Sequence, residues 1–280
     1  MAFINAHVGE FAGLLVAVFW TVSALAFESA SNRLGSVAVN ILRLVIGFIF
    51  LSILNLIRRN MILPFDASAD NWLWLVLSGL IGFVFGDLFL FKSYTIIGSR
   101  FSMLIMTLVP PMTAFLGWLV MGERLTLLNL AGMSLTFTGI AMAIFSRENG
   151  NEKFTMKLAP IGVLYALGGA LGQASGLVLS KYGMKDYDPF SATQIRIIAG
   201  MAGFAFLVTL MRRWKNVWVG MNDVKGMKSV TLGAFFGPFL GVSFSLLSVK
   251  YAKTGIASTI MALSPVFILL PATMLYKEKV

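Results

Sequence analysis

Four charged residues stand inside otherwise apolar runs: Arg43 in "NILRLVIG", Asp87 and Lys92 in "GFVFGDLFLFKS", and Arg196 in "SATQIRIIAG". Even on the lenient insertion scale a charge at the bilayer centre costs about 2.5 to 3.5 kcal/mol, so such residues face a wet cavity or a partner of opposite sign. No other acidic residue is as deep as Asp87. Two readings are open for it: a carboxylate that carries a proton or balances a cationic substrate, or a structural ion pair with Arg43 or Arg196. Arg43 and Arg196 sit roughly two turns into their helices. Their long stems favour snorkelling to the interface, with anion binding in a cavity as the alternative. Lys92 ends its helix and is also read as snorkelling.

Polar groups and prolines inside the same runs complete the candidate set. Pro110 and Pro111 interrupt the fourth span, Pro265 and Pro271 the ninth, and freed backbone groups of this kind are tolerated where they are packed or line a cavity. They serve as a hinge or as a static bend. Ser258, Thr259 and Ser264 either meet a substrate or bond back to their own helix. Gln173 and Ser175 in the sixth span are expected to join Asp87 at the repeat interface, with Trp20 and Ser23 of the first span as the equivalent on the other side and packing as the alternative for Trp20. The glycines of "GFVFG", "GALGQASG" and "GAFFGPFLG" fall on single helical faces and predict close helix packing.

The elements that must position these residues are membrane helices. Of 280 residues 58% are hydrophobic and 12% charged, with a mean hydropathy of +0.85, against about a quarter charged in an average soluble domain. Spans are expected at 8–27, 36–57, 72–92, 98–121, 126–146, 159–180, 190–211, 230–250 and 254–275, each about long enough to cross the hydrocarbon core. The first is a retained helix, because the residues before it lack Lys and Arg and include Glu10. The net charge of +10 is spread over short turns, which argues for topology and against nucleic acid. There is no HExxH, no GxSxG, one histidine (His7) and no cysteine, so metal, serine and thiolate catalysis have no constellation, and no enzyme activity is expected.

The chain also repeats itself. At an offset of 155, Gly82 falls on Gly237, Gly86 on Gly241, Ser93 on Ser248, Met106 on Met261, Pro110 on Pro265 and Glu123 on Glu278; further upstream, at the slightly shorter offset of 153, Arg43 falls on Arg196 and Gly47 on Gly200. The division is 1–150 for the first copy, with five helices, and 151–280 for the second, with four. An odd number of crossings sets the second copy upside down, the inverted arrangement of secondary transporters with a midplane site. A whole helix follows Glu123, but only Lys279 and Val280 follow Glu278, so a tenth helix is expected beyond Val280.

These residues carry a resemblance. "RLVIG" with "GFVFGDLFLFKSYTIIGSRFSMLIMTLVPPMTAFLGWLVMGERLTLLNLAGMSLTFTGIAM", and again "DPFSATQIRIIAGMAG" through "GPFLGVSFSLLSVKYAKTGIASTIMALSPVFILLPATMLYKEK", resemble the EamA domain of the drug/metabolite transporter superfamily. The resemblance covers nearly the whole chain. It implies an all-α polytopic membrane protein of ten helices in two inverted five-helix repeats, nine of them present here. It further implies a secondary-active transporter or exporter of small metabolites such as amino acids, working by alternating access, with proton coupling open. A channel-like facilitator or lipid scramblase of the same architecture is the alternative. The expected partners are a small-molecule substrate and membrane lipid, without nucleic acid or cofactor. The protein is expected as a monomer or weak homo-oligomer in a bacterial or archaeal cytoplasmic membrane. The resemblance implies an N-terminus inside, whereas basic residues are more numerous in the turns of the opposite set, which favours N-outside.

Overall fold

Arg196 and Asp87 are carried by a bundle whose regular elements are all helices in the residues that the computed structural model describes, 7–145 and 159–267. Helices satisfy their own backbone, the condition for crossing lipid without a closed barrel. In the first half, α1 (Val8–Leu34) and α2 (Ser36–Arg59) meet at Gly35, whose φ of 82° suits glycine alone. Then α3 (Ala69–Gly79) starts on a reciprocal Ser68–Asn71 cap and passes through a π-helical stretch, Leu80–Gly86, into α4 (Asp87–Ile105). A 3-10 turn, Met106–Leu108, leads to α5 (Val109–Met121), and α6 (Leu127–Phe145) follows. The second half holds α7 (Pro160–Met184), α8 (Pro189–Leu210), the short α9 (Trp214–Met221), α10 (Val224–Ala234), a second π-helical stretch Phe235–Gly241, α11 (Val242–Tyr251) and α12 (Thr254–Met261).

Among the described residues seven rods are long and apolar enough to cross a membrane; Leu127–Thr136 and Thr254–Phe267 are shorter apolar helices. These two stand where spans 126–146 and 254–275 are expected; residues 268–275, with Pro271, and Glu278 lie outside the described residues. Some expected boundaries need correction. The first helix runs past residue 27 to Leu34, because Ala30 and Ser31 are buried against the bundle and Arg33 Nε donates to Asp223 at 2.8 Å. The third rod reaches Ser99, and its break is a single kink at Gly98 (φ 77°). The rod expected to start at 230 starts at Val224, capped by Asp223, whose carboxylate accepts from the Lys225 and Gly226 amides.

Both π-helical stretches have seven residues, and Leu80 to Phe235 and Gly86 to Gly241 are each 155 positions apart. In each the closing amide reaches back five residues, Asp87 N to Gly82 O and Val242 N to Gly237 O. The sequence register is thus reproduced in backbone geometry. The halves interleave: α7 packs along α3, α4 and α5, α8 lies along α2 and α3, and α1 lies along α10 and α11. Glycine makes the closest approach possible. A Cβ on Gly176 would come within 2.9 Å of Gly82 Cα, and one on Gly172 within 2.8 Å of Gly86 N. The "GFVFG" and "GALGQASG" faces therefore meet each other, as small residues do where lipid supplies no hydrophobic drive between helices.

Candidate functional site

Asp87 follows the first π-helical stretch directly, and its carboxylate is fully engaged. Oδ2 accepts from Arg43 Nη2, and Oδ1 accepts from Gln173 Nε2 at 2.8 Å. Arg43 is held from the other side as well: its Nε donates to Asn40 Oδ1 at 3.0 Å, and its guanidinium lies 4.7 Å from the Phe91 ring centroid. Pairing a buried charge in this way is what offsets the cost of desolvating it.

Arg196 is placed differently. It is 4% exposed, against 3% for Arg43, so neither arginine snorkels to the interface. Each of their helices turns the residue inward, where Phe83 lies between the two guanidinium groups, 5.7 Å from that of Arg43 and 4.8 Å from that of Arg196. Gly82 leaves the room: a Cβ there would stand 3.0 Å from Arg196 Nη2. Arg196 Nε is buried with no acceptor, and no carboxylate among the described residues bonds this guanidinium.

Arg196 reaches the wall of a tight cavity of about 50 Å³ between the helices, smaller as it stands than the usual small-molecule site. Of the expected site residues, Trp20, Gln173, Arg196, Ser258, Ser264 and Pro265 line it. Asp87 and Arg43 stand behind the wall. Ser23 is buried and donates to Trp20 O at 3.1 Å, and Ser175 is half-buried off the wall. Pro110, Pro111 and Thr259 line a second space, beside α6. The prolines fall in the first turn of α5, where a missing amide removes no helical bond. Ser258 and Thr259 donate back to Gly255 O, and Ser264 to Met261 O.

Sequence reasoning missed Asn40, Phe83, Met103, Met106 and Met261. Asn40 was the findable one, a fully buried amide in the apolar run "VAVNILRL". Glu123, marked in the sequence by its register with Glu278 and not as a site residue, ties the halves together at one end of the bundle. Its carboxylate accepts from Lys181 Nζ at 2.7 Å and from both the amide and hydroxyl of Thr254, at 2.9 and 2.7 Å. Burial pushes this carboxyl up, but the Lys181 and Thr254 donors outweigh it and hold it below the ordinary carboxylate value.

Comparison with known proteins agrees with this architecture. A solved crystal structure superposes with a TM-score of 0.72 at 19% identity, over 98% of this chain and 89% of the other, a likeness of fold alone. An uncharacterized membrane protein of Saccharomyces cerevisiae, YMR253C, is 25% identical over 203 residues; the match takes in 67% of this chain but 45% of the yeast protein, so the chain spans less than half of that relative's length. The family pattern itself matches twice, at residues 7–145 and 160–280. With both halves covered, this integral membrane protein belongs to the EamA-like transporter family.

Proposed function

We propose that the protein is a secondary carrier that binds a small metabolite in the central cavity and releases it on the opposite side of the membrane by alternating access. The observation that carries this reading is the matched lining. Met103 and Ser258, Met106 and Met261, and Thr107 and Ala262 are pairs 155 residues apart, and all six line the cavity. A site built from equivalent positions of two copies stays in place while the copies exchange conformations, the arrangement of transporters with a midplane site between repeats. In this reading the architecture is ten helices in two inverted five-helix repeats. The Glu123–Lys181–Thr254 tie then belongs to the closed end.

The test is counterflow. Proteoliposomes are preloaded with unlabelled amino acids, sugars, organic acids or organic cations, and uptake of the labelled compound is followed. A carrier gives saturable uptake accelerated by the trans compound. A channel-like facilitator or a scramblase gives neither, and that result overturns the reading. Asp87 couples a proton in this scheme only by leaving Arg43 and Gln173; if the pH profile of counterflow is the same in Asp87→Asn, the carboxylate is structural.

A further inference from the structure

The charges of the central site do not balance. Duplication supplied two arginines, Arg43 and Arg196, at matching places, but one carboxylate. The 155-residue register that carries Gly86 to Gly241 carries Asp87 to Val242, an aliphatic residue on the cavity wall. Asp87 is consumed by Arg43 and Gln173. Arg196 keeps its ring contact with Phe83 and a buried Nε without an acceptor. Among the described residues, every one that lines the cavity apart from Arg196 is uncharged; Met103, Met106 and Met261 give it a deformable apolar surface.

From this we infer that the cavity takes an organic anion, a carboxylate attached to an apolar body, with Arg196 as the residue that binds the carboxylate. A guanidinium is a planar fork matched to the two oxygens of a carboxylate, and a buried cation lacking a partner is the group that a bound anion satisfies best. A cationic substrate is disfavoured at the same wall, because it would meet Arg196 with no free carboxylate among the described residues that line it.

The inference names the substrate class of the carrier proposed above and rests on that reading for transport, but its binding claim is measured separately. Purified protein is titrated calorimetrically with 3-phenylpropanoate, its primary amide 3-phenylpropanamide, and 2-phenylethylamine, three probes that share a ring and differ in charge. The wild-type protein is expected to bind the carboxylate at least tenfold more tightly than the amide or the amine. Arg196→Gln is expected to abolish that preference and Arg196→Lys to keep part of it. Gly82→Ala, which leaves the charge but places a Cβ 3.0 Å from Nη2 and 3.6 Å from Gly176 Cα, is expected to weaken carboxylate binding without changing amide binding, so the claim survives even if Arg196→Gln fails to fold.

Equal binding of carboxylate and amide, binding of the amine alone, binding of none of the three, or a carboxylate preference that persists in Arg196→Gln overturns the inference. Counterflow of neutral or cationic compounds without carboxylates overturns it too, while leaving the carrier standing. Arg196-dependent carboxylate binding with no counterflow of any compound does the reverse, supporting the anion site and sinking the transport reading.

Discussion

The seam between Gly86 and Gly172 allows a sharp test of how the halves are held together. Adding one methyl group in Gly172→Ala places a Cβ against Gly86 Cα, 2.8 Å from Gly86 N and 3.1 Å from Ile81 O. All three are backbone atoms of the facing helix, so no side chain can swing aside. Bringing these contacts out to an ordinary 3.5 to 4.0 Å separates the helices by on the order of 1 Å. Overpacking of this kind costs about 1 to 3 kcal/mol. The upper part of that range applies, because Gly82 and Gly176 share the seam and lose contact with it. Replacing a mid-helix glycine by alanine also returns about 0.5 to 1 kcal/mol of backbone propensity. Gly132→Ala isolates that gain, since a Cβ at Gly132 in α6 meets nothing within 4 Å. The difference between the two variants is thus the seam alone, and at roughly 2 to 4 °C per kcal/mol it is a melting-temperature gap of about 4 to 12 °C. Thermal unfolding of both proteins in the same detergent, followed by tryptophan fluorescence, reads it. If Gly172→Ala melts within about 1 °C of Gly132→Ala, the helices are not in backbone contact there and the packing argument is wrong.

Two further outcomes follow from the polar groups. Asp87→Asn leaves Arg43 buried without its counter-charge and is expected to destabilise the protein by about 3 to 5 kcal/mol. Adding Arg43→Gln is expected to recover part of that loss, giving a coupling of about 0.5 to 3 kcal/mol in a double-mutant cycle read by thermal unfolding; strict additivity would show that the pair does not interact. Glu123 contributes stability with a defined pH sense. Its folded carboxyl titrates below its ordinary 4.5, so its contribution is complete above that value and is lost as pH falls through the lower folded one. Melting temperatures measured from pH 6 downward are expected to fall less steeply below about pH 4.5 in Glu123→Gln than in the wild-type protein, and parallel curves would refute the assignment.

The sequence exposed the features that hydropathy and spacing encode locally. The apolar runs gave the rods, and the 155-residue register foretold where the second π-helical stretch would repeat the first, although not that either would be π-helical. That choice lies in an amide reaching five residues back instead of four, for which side-chain patterns give no period. Depth was legible for Arg43 and Arg196, but direction was not. A span shows how far a residue is from a helix end and leaves open which side of the helix faces lipid. The partners that turn these arginines inward lie far along the chain: Asp87 is 44 residues from Arg43, and Phe83 reaches Arg196 across the two copies. Glu123 was hidden for the same reason, since Thr254, which it caps, is 131 residues away.

Where the two copies agree they build the frame, and where they differ they set its chemistry. Ser99, just past the Gly98 kink inside α4, and Thr254, the first residue of α12, are 155 residues apart, and the amide and hydroxyl of each donate to a glutamate, Glu28 in one case and Glu123 in the other. The cap is preserved although the residue that supplies it is not the equivalent one. At the centre no such substitute is found among the described residues. Asp87 has Val242 as its counterpart, and the excess positive charge at Arg196 follows from that one position. Restoring the symmetry is therefore the severest test of the argument. Val242→Asp places a carboxylate on the wall that Arg196 lines, as Asp87 stands toward Arg43, and leaves the Arg43–Asp87 pair and both glycine faces untouched. An intramolecular pair at Arg196 competes with any anion at no cost of association. Binding of 3-phenylpropanoate is expected to fall at least tenfold while binding of its amide is kept and the protein melts no lower than the wild type. Undiminished carboxylate binding in Val242→Asp would mean that Arg196 is not where the anion sits.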